Sequence, residues 1–412
     1  MRHKIPNVLV SNGFNRFQLV VAAAEASRRG RLDRLVTGAY PTSRVRTLAR
    51  PFLAAKAVDR LIARGEEVPT PRVVSLWAPE LAYRLGRALS RASPEAREFA
   101  TIATLRWYGR AASRVVSAST AAIYHYRSGF GYASAEAARS SGMRLLCDHS
   151  IANPAVLEHL IANRGQLPDF QISPASRFWA FVEADLQRAD VLLVNSDFVR
   201  QTFVTQGWLP ERVRVVYWGV DDAFLSLIPR RLLRSAPSGP LRLLFAGSLQ
   251  QRKGLDVMTE ALNQVEVPWT LRIAGSIDRA LETKLLRNPR VEWVGAVSRK
   301  ELARLMTEAE VFVFLSLAEG SARVVFEAMA CGAPIITAPN TGSVVRDVEN
   351  GWLVSPGAVQ QVVAAIHAAY ECREQLSEIG ARNASLIRAE YTQTHYGDAL
   401  ARVYDELWAA AE

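Results

Sequence analysis

SLAEGSARVVFEAMACGAP, residues 316–334, is the stretch that decides the fold of this 412-residue chain. The apolar run before it, Val311–Phe314, predicts a buried strand, and the spacing from Ser321 onward predicts a helix. A strand that leads through a glycine loop into a helix is the repeating unit of a doubly wound α/β sheet, whose ligands bind at the carboxyl ends of the strands. Glu319 and Gly320 are therefore predicted to lie beside a ligand.

The start of this helix is predicted to face an anion. Its first amides, near Ser321 and Ala322, lack partners inside the helix, and Gly320 permits close approach of the backbone. Glu327 follows Glu319 by eight residues, about two turns along the helix, where a carboxylate can accept hydrogen bonds from ribose or sugar hydroxyls. The alternative interpretation is a helix whose acids merely offset its dipole, an effect of about 0.3–1 kcal/mol.

A second segment has the same layout. The strand Leu241–Phe245 is followed by AGSLQQRKGLD, in which Arg252 and Lys253 directly precede a helix that begins near Leu255. Cations at a helix amino end oppose its dipole, and a bound diphosphate would compensate them, because each charge-assisted hydrogen bond contributes about 1.5–3 kcal/mol. A solvated Arg-Lys pair is the alternative, and this segment alone does not decide between the two.

Strands and helices alternate along the whole chain, which favours parallel sheets covered by helices on both faces. The run SAPSGP, residues 235–240, interrupts the alternation with linker composition. We therefore predict an α/β fold with two doubly wound, Rossmann-like domains that face a cleft. The predicted division is an amino-terminal, acceptor-side domain at 1–218, a hinge or linker at 219–240, a nucleotide-sugar-binding domain at 241–391, and a carboxy-terminal helix at 392–412 that packs back on the first domain.

Composition narrows the class of protein. Hydrophobic residues make up 49% and charged residues 22%, as in soluble globular chains. The three cysteines do not form a disulfide framework or a CxxC zinc pair. We expect no secretory signal, because the amino end turns polar at Ser11-Asn12-Gly13, and no apolar run approaches the roughly 18 residues of a spanning helix. We expect a cytoplasmic protein.

The formal net charge is +10, and the basic excess is concentrated between residues 41 and 114. Within that region, segment 43–64 has the pattern of an amphipathic basic helix, which predicts peripheral contact with the inner membrane face or guidance of a lipid-linked acceptor. A solvated helix face is the alternative. A nucleic-acid partner is not expected, because no binding motif accompanies the charge.

Taken together, the GSLxxRKGLD loop and the later EGSxxxxxEAMACGxPI segment resemble the family 4 retaining glycosyltransferases of the GT-B fold. The resemblance covers most of the second domain and extends more loosely to residues 189–200 and 213–221. It implies an enzyme of the hexosyltransferase type that moves a sugar from a nucleoside diphosphate to an acceptor hydroxyl with retention of anomeric configuration. The nucleotide sugar is a substrate, and neither a metal nor another cofactor is implied. The acceptor, a saccharide, a glycolipid or other lipid-linked group, or a small molecule, stays open.

The resemblance also implies roles for individual residues. Arg252 and Lys253 neutralise the departing diphosphate, Glu319 and His149 contact the donor sugar, and Glu327 holds the ribose hydroxyls. The remaining donor-binding positions are backbone or small side chains in loops: Asn12, Gly13, Gly247, Ser248, Val294, Gly295, Gly320, Ser321 and Ala322.

The sequence departs from the family pattern in three places, and in the first of them Ser11-Asn12-Gly13-Phe14-Asn15 stands where paired glycines and a glutamate are commonest. Gly320-Ser321-Ala322 stands where Gly-Phe-Gly is usual, and Ser248 stands where an arginine is common. A non-catalytic sugar-nucleotide-binding subunit of a glycan-assembly complex is thus the alternative function, although both acids and both cations are kept. A nicotinamide-dependent dehydrogenase is disfavoured, because no strand is followed by G-x-G-x-x-G.

Overall fold

A computed structural model describes residues 5–15, 17–42, 61–62, 64–90, 93–174, 176–229, 239–277 and 284–410. Two entirely parallel sheets organise these residues, with strand orders β3-β2-β1-β4-β5-β6-β7 and β10-β9-β8-β11-β12-β13. Each order reverses direction once, next to the first strand of its sheet. This confirms the predicted doubly wound α/β architecture.

The first sheet and its helices come from the amino-terminal half of the chain. Its strands are β1 Val8–Gly13, β2 Leu32–Thr37, β3 Val73–Ser75, β4 Ile123–Arg127, β5 Arg144–His149, β6 Val191–Val194 and β7 Val213–Val215. The helices are α1 Gln18–Arg28, α2 Trp77–Leu89, α3 Pro94–Ser117, α4 Tyr132–Ser140, α5 Leu157–Ala162, α6 Arg177–Leu186 and α7 Asp197–Val204.

The second sheet follows a short connecting helix, α8 Asp222–Leu225. Its strands are β8 Leu241–Ala246, β9 Trp269–Ala274, β10 Val291–Gly295, β11 Val311–Phe314, β12 Ile335–Thr337 and β13 Gly351–Leu353. The helices are α9 Leu255–Leu262, α10 Arg299–Glu308, α11 Arg323–Ala330, α12 Val359–Glu371, α13 Leu376–Glu390 and α14 Gln393–Ala409.

The sequence patterns locate the central strands well and miss the edges of the first sheet. β3 and β7 are three-residue edge strands, and in both at least two residues are only partly buried. Edge strands need little apolar surface, so their signal is weak. The proposed basic helix at 43–64 lies outside the described residues, except for 61–62 and 64.

The chain passes between the domains twice, and the two passages lie side by side. Val220 donates to the main-chain oxygen of Tyr391 at 2.9 Å, and Gln393 donates to that of Val220 at 3.0 Å. A Cβ on Gly219 would lie 2.0 Å from the backbone of Thr392, so only glycine fits there. The described parts of the chain include no helix both long enough and apolar enough to cross a membrane.

After the second passage, α14 packs on the first domain. Tyr404 and Leu400 join the core formed by β1 and α1, and the Tyr404 hydroxyl lies 2.9 Å from Nδ1 of the buried His125. Arg29 and Arg31 of the first domain form ion pairs with Asp398 and Asp405 of α14. The last helix thus returns to the domain that begins the chain.

Candidate functional site

The reversal of strand order sets the position of a crevice in each domain. In the second sheet, β8 and β11 are neighbours whose connections leave in opposite directions, and in the first sheet β1 and β4 have the same relation. Loops after such strands separate and leave room for a ligand. We call these places the second and the first switch point.

At the second switch point, the structure brings Arg252, Lys253 and Glu319 together. Arg252 follows β8 in a 3-10 turn over Gln251–Lys253, and its Nη1 lies 2.7 Å from Glu319 Oε1. Lys253 Nζ contacts the same carboxylate oxygen and lies 5.1 Å from the centre of the Phe314 ring. Burial lowers the pKa of Lys253, and the Glu319 carboxylate opposes that shift. Two cations and one anion leave an excess of positive charge at this point.

Backbone contacts hold this cluster in position. Ser316 Oγ donates to the main-chain oxygen of Arg252 at 3.0 Å, and the Leu317 amide donates to the same oxygen at 2.9 Å. Arg252 Nη1 also donates to the main-chain oxygen of Ala318. The loops after β8 and β11 are therefore hydrogen-bonded directly to each other, and these bonds fix the backbone from which the charged side chains project.

The loop after β11 also contacts the first domain, which sequence reasoning did not foresee. Ser196 Oγ donates to the main-chain oxygen of Gly320. A Cβ on Gly320 would lie 2.0 Å from the Ser150 oxygen and 2.6 Å from Asn195 Nδ2. The absence of a side chain at Gly320 thus allows the two domains to approach closely, and they meet at the loop that carries Glu319.

Asn195 is a candidate site residue that sequence reasoning missed. It follows β6, its exposed fraction is 2%, and neither Oδ1 nor Nδ2 has a hydrogen-bond partner among the described residues. Ser321, on the other side of the interdomain contact, is also buried with an unpartnered Oγ in that same set. Buried amide and hydroxyl groups normally have partners, so these atoms indicate a place for a polar ligand.

Glu327 does not join the cluster around Glu319. Its Oε1 lies 3.8 Å from Arg299, whose Nη2 donates to Asp221 at 2.6 Å. Burial raises the pKa of Glu327 to about 7, although Arg323 and Arg299 act in the opposite direction. The carboxyl group is therefore close to half-protonated near neutral pH.

A cavity of about 370 Å³ lies between the domains beside these groups. Gln18, at the start of α1, and Arg323, at the start of α11, both line it, and Arg323 Nη2 donates to Gln18 Oε1 at 2.9 Å. The amino ends of two helices, one from each domain, thus meet there. Arg323 was visible in the sequence as a cation at a predicted helix start, whereas Gln18 and Arg299 had no distinguishing signal.

His149 ends β5 and is fully enclosed by the first domain. Its Nδ1 lies 2.8 Å from Ser128 Oγ, and its Nε2 lies 3.3 Å from the main-chain oxygen of Ala152. Burial, with a smaller effect of Arg127, lowers the pKa of His149 to about 3, so the ring is neutral. Both ring nitrogens are engaged within the first domain, and the predicted contact with a donor sugar stays a prediction.

Asn12 and Gly13, at the end of β1, also face into the first domain. Asn12 Nδ2 donates to the Asn15 oxygen at 2.9 Å and to Thr37 Oγ1 at 3.1 Å. The Gly13 amide donates to the Tyr108 hydroxyl at 3.1 Å, and the Phe130 ring covers its α-carbon. These contacts lie within the first domain, and the predicted approach of the two residues to the donor stays a prediction.

The other predicted donor-binding positions lie along the carboxyl edge of the second sheet. Gly247 and Ser248 follow β8, and Ser248 Oγ is 3.2 Å from Ser276 Oγ in the loop after β9. Val294 and Gly295 end β10, and the space where a Cβ on Gly295 would lie is open to at least 4 Å. This edge is thus continuous from β10 to β11.

The helix at the predicted anion site begins two residues later than the sequence pattern predicts. The helix begins at Arg323, not Ser321, because the Ala322 amide donates to the main-chain oxygen of Thr341 at 2.9 Å. The amides of the first helical turn consequently start at Arg323. The side chain of Ser321 and the backbone of Gly320 stay at the interdomain contact.

The first switch point holds a different kind of site. A cavity of about 380 Å³ opens between the loops after β1 and β4 and the helices α2 and α3. Its lining includes five aromatic residues, Phe14, Phe17, Tyr83, Phe130 and Phe178, and three charged residues, Arg87, Arg97 and Glu98. Ser128, the partner of His149, also lines it. The cavity has a size typical of small-molecule sites.

Comparison with known proteins finds relatives for the second domain and for the fold of the whole chain. Residues 240–372, nearly the whole second domain, match the family of glycosyl transferases group 1. The amylovoran biosynthesis glycosyltransferase AmsK of Erwinia amylovora is 26% identical over 193 residues, covering 43% of this chain and 46% of the relative. The D-inositol 3-phosphate glycosyltransferase of Mycobacterium bovis is 29% identical over 235 residues, covering 53% and 49%. The chain spans about half the length of the curated relatives that it matches.

Solved structures match over almost the whole chain. The Anabaena protein HepE, in complex with UDP and glucose, aligns with a TM-score of 0.60 and 16% identity over 96% of this chain and 99% of its own. The lipopolysaccharide outer core galactosyltransferase WaaB, without ligand, aligns with a TM-score of 0.62 and 14% identity over 97% of this chain and 99% of its own. Such low identities establish the fold. The chain accordingly has the GT-B fold, its residues 240–372 match the group 1 glycosyl transferases, and its resemblance to family 4 fits these relatives.

Proposed function

We propose that the protein transfers a sugar from a nucleoside diphosphate to an acceptor hydroxyl, with retention at the anomeric carbon and without a metal ion. The observation that carries the proposal is the convergence of Arg252, Lys253 and Glu319 at the second switch point. One structural relative, HepE, is known in complex with UDP and glucose and also in complex with UDP-glucose. These complexes support a nucleotide sugar as the donor.

The two cations perform the role that a metal ion has in other transferases. Negative charge develops on the diphosphate as the bond to the anomeric carbon breaks, and preorganised cations stabilise such charge strongly. Without donor, Arg252 and Lys253 share the single carboxylate of Glu319. A diphosphate carries more negative charge than Glu319 alone, so the electrostatic attraction of both cations is stronger when they contact it. The hydrogen bonds between the two loops fix the positions of the cations beforehand.

Glu319 orients the sugar and does not attack it. A carboxylate that two cations stabilise is a weak base and a weak nucleophile. This favours attack by the acceptor hydroxyl from the face that the diphosphate leaves, with a phosphate oxygen taking the hydroxyl proton. The new bond then forms on the same face as the broken one, so the anomeric configuration is retained.

Asn195 and Ser321 complete the sugar site from the two sides of the interdomain contact. Their unpartnered polar atoms match what sugar hydroxyls offer, since a hydroxyl both donates and accepts. The charged form of Glu327 holds the ribose, and its Oε1 lies 3.8 Å from Arg299, which lines the cavity between the domains. His149 can contact the donor sugar from the first domain only if its Nε2 gives up the contact with the main-chain oxygen of Ala152.

The acceptor binds in the aromatic cavity of the first switch point. That cavity lies on the first domain, and Ser128 connects its wall to His149. Aromatic walls with arginines at the border fit an acceptor that has an apolar part and an anionic group. A lipid-linked or aryl acceptor has these properties, whereas a free neutral sugar does not.

The alternative is a binding subunit that holds a nucleotide sugar without transferring it. Gly320-Ser321-Ala322, in place of the usual pattern, leaves this function open, and the retained acids and cations speak against it. A thermal-shift screen of uridine, guanosine and adenosine diphosphate sugars identifies the donor first. Hydrolysis or transfer of that donor by the purified chain supports the enzyme, and binding without either reaction supports the subunit. Anomeric coupling constants of the product, measured by NMR, test retention.

A further inference from the structure

Asn340 connects the first domain to the loop that carries Glu319. Asn340 is 4% exposed, and its Nδ2 donates to the main-chain oxygen of Gly165 at 2.6 Å and to that of Leu317 at 2.7 Å. Gly165 belongs to the first domain, whereas Leu317 lies in the loop after β11. Since both partners are carbonyl oxygens, only the amide nitrogen of Asn340 can face them, and both of its hydrogens are used. One side chain thus joins the two domains.

The main chain beside Asn340 supports the Glu319 loop directly. Asn340 lies in a 3-10 turn, Pro339–Thr341, that follows β12. Its main-chain oxygen accepts a hydrogen bond from the Glu319 amide at 2.9 Å, and the main-chain oxygen of Thr341 accepts one from the Ala322 amide at 2.9 Å. A displacement of this turn therefore moves the backbone from which the Glu319 side chain projects.

The first domain meets Asn340 with a tight turn. After α5, Arg164 and Gly165 both have positive φ angles, 51° and 89°, and such a backbone is uncommon for a residue other than glycine. Gly165 is buried, while Arg164 and Gln166 beside it are exposed. A Cβ on Gly165 would lie 2.7 Å from the Pro356 side chain and 2.9 Å from Asn340 Nδ2. The main chain of this turn, which we call the Gly165 turn, thus lies directly against the second domain.

A second contact of the Gly165 turn is weaker. Arg164 Nη2 forms an ion pair with Glu260 Oε1 at 2.8 Å, but the two side chains are 48% and 49% exposed. Exposed ion pairs contribute little to stability, because water competes for both charges. The hydrogen bond from Asn340 is buried, and its loss would leave polar groups without partners, so it is the stronger link between the turn and the second domain.

We propose that Asn340 is a positioning residue, through which the contact of the Gly165 turn with the second domain keeps Glu319 in place for the donor sugar. The role of Glu319 rests on the proposed function, whereas the coupling between the Gly165 turn and the Glu319 loop does not depend on it. When the domains separate, Asn340 Nδ2 loses the Gly165 oxygen and keeps only that of Leu317. Glu319 is then less firmly held, so it is correctly oriented only while the domains are together.

Hydrogen–deuterium exchange of the full chain without donor tests the coupling independently of any reaction. The segment to be measured is 316–322, which carries Glu319. Asn340→Ala should raise its exchange rate roughly tenfold, because the turn that protects its amides loses both side-chain hydrogen bonds. Gly165→Ala, a change in the other domain, should raise it roughly fivefold. Arg164→Ala removes only the exposed ion pair and should change it less than about twofold.

Gly142→Ala is the matched control for Gly165→Ala. Gly142 also lies in the first domain with a positive φ angle, 76°, but a Cβ there would meet nothing within 4 Å. Both substitutions thus impose a similar backbone strain, and only Gly165→Ala affects the interdomain contact. Gly142→Ala should leave the exchange of segment 316–322 unchanged. Should either alanine variant fail to fold by circular dichroism, Gly165→Asn and Gly142→Asn repeat the comparison with a residue that tolerates positive φ.

Two results would overturn the proposed coupling. One is wild-type exchange of segment 316–322 in Asn340→Ala or in the Gly165 variant. The other is equal acceleration by the Gly165 and Gly142 variants, since backbone strain alone would then explain it.

The effect on the reaction is tested separately with the donor. Asn340→Ala should lower the transfer rate roughly tenfold and leave the calorimetric affinity for the nucleoside diphosphate nearly unchanged, because in the proposed reaction Glu319 contacts the sugar and not the diphosphate. A loss of affinity as large as the loss in rate would mean that Asn340 supports the whole site and does not position Glu319. If the wild type transfers no sugar, the proposed function fails, and the exchange measurements still decide the coupling.

Discussion

The two switch points have the same topology and opposite chemistry. In the second, the loops after β8 and β11 bring together Arg252, Lys253 and Glu319, and positive charge predominates. In the first, the loops after β1 and β4 enclose an aromatic cavity, and Phe14 packs edge-on against the Phe130 ring at 5.1 Å. The strand order determines where a crevice forms, whereas the loop side chains determine what it can bind.

This difference suits a reaction between two unlike substrates. In the proposed reaction, the charged donor binds at the charged switch point, and an acceptor with an apolar part binds at the aromatic one. The loop around Gly320 meets Ser150, Asn195 and Ser196 between them. This division can be tested with variants at each switch point. A change at one switch point should leave binding at the other unchanged.

The largest effect is expected at the charged switch point. Lys253→Ala removes one of the two cations that we propose stabilise the leaving diphosphate, and the loss of about 2–4 kcal/mol should lower the transfer rate roughly thirtyfold to thousandfold. Steady-state kinetics with the identified donor measures it. Lys300→Ala, at the exposed start of α10, is the control and should leave the rate unchanged. A near wild-type rate in Lys253→Ala would mean that the charged cluster is not where the reaction occurs.

The second largest effect is expected at the contact between the two domains, where Gly320 approaches Ser150. Gly320→Ala adds a Cβ 2.0 Å from the Ser150 oxygen, so the domains must separate locally. Misplacing a substrate by about 1 Å can cost on the order of a hundredfold in rate, and we expect a loss of roughly thirtyfold to hundredfold. Donor affinity should change less than the transfer rate.

A matched control exists in α2, where Gly86→Ala adds a Cβ 3.2 Å from the Ala100 side chain, within the first domain. It should keep its transfer rate. Small-angle scattering should detect a larger radius of gyration in Gly320→Ala than in Gly86→Ala. Equal rates in the two variants would show that the interdomain contact has no part in the reaction.

A smaller effect depends on pH. Burial raises the pKa of Glu327 to about 7, so the carboxyl is mainly neutral at pH 6 and mainly charged at pH 8. If the charged form holds ribose, affinity for the nucleoside diphosphate should rise about tenfold between these values. Calorimetric titration measures it. In Glu327→Gln the affinity should be lower at pH 8 and nearly independent of pH, and a wild-type pH profile in that variant would refute the role.

The same shift affects stability with a defined sign. The pKa of the group is about 7 when folded, against an ordinary value of 4.5, so the folded state binds more protons between these values. The free energy of unfolding therefore falls as the pH rises through this window. Glu327→Gln should raise the melting temperature at pH 8 relative to the wild type and change it little at pH 4.

The smallest effect is expected at the aromatic switch point. Tyr83→Ala removes one wall of the cavity, and binding of n-octyl phosphate, a probe with an apolar chain and an anionic group, should weaken about fivefold. Phe170→Ala is the control, because Phe170 is an exposed aromatic residue outside the cavity. Donor hydrolysis should not change in either variant. If Tyr83→Ala instead impaired donor binding, the division of substrates between the switch points would be wrong.

The sequence predicts the second switch point better than the first. Arg252, Lys253 and Glu319 occur in two loops that directly follow buried strands, so the sheet topology alone brings them close. The aromatic cavity depends instead on α2 and α3, whose packing over β1 and β4 has no short motif. The contact of Gly320 with Ser150 and Asn195 is between residues more than a hundred positions apart, and periodicity does not encode such distances.

His149 illustrates a second limit. Its position after a strand is readable from the sequence, but the direction of its ring is not. The Ser128 hydroxyl and the Ala152 oxygen satisfy both ring nitrogens inside the domain, and neither partner is marked in the sequence. Helix α2 shows the same limit, because the four-residue spacing of Trp77, Leu81, Leu85 and Leu89 is visible in the sequence, whereas their exposure is a property of the folded domain.

The paired passages of the chain at Gly219 and Thr392 determine how the two halves of the molecule can move apart. Since both connections are joined by main-chain hydrogen bonds at one place, that place opposes sliding of the halves and favours rotation about it. The opening that such a swing produces widens with distance from the pivot. A substrate can therefore enter at the far rim while the residues next to the pivot keep their neighbours.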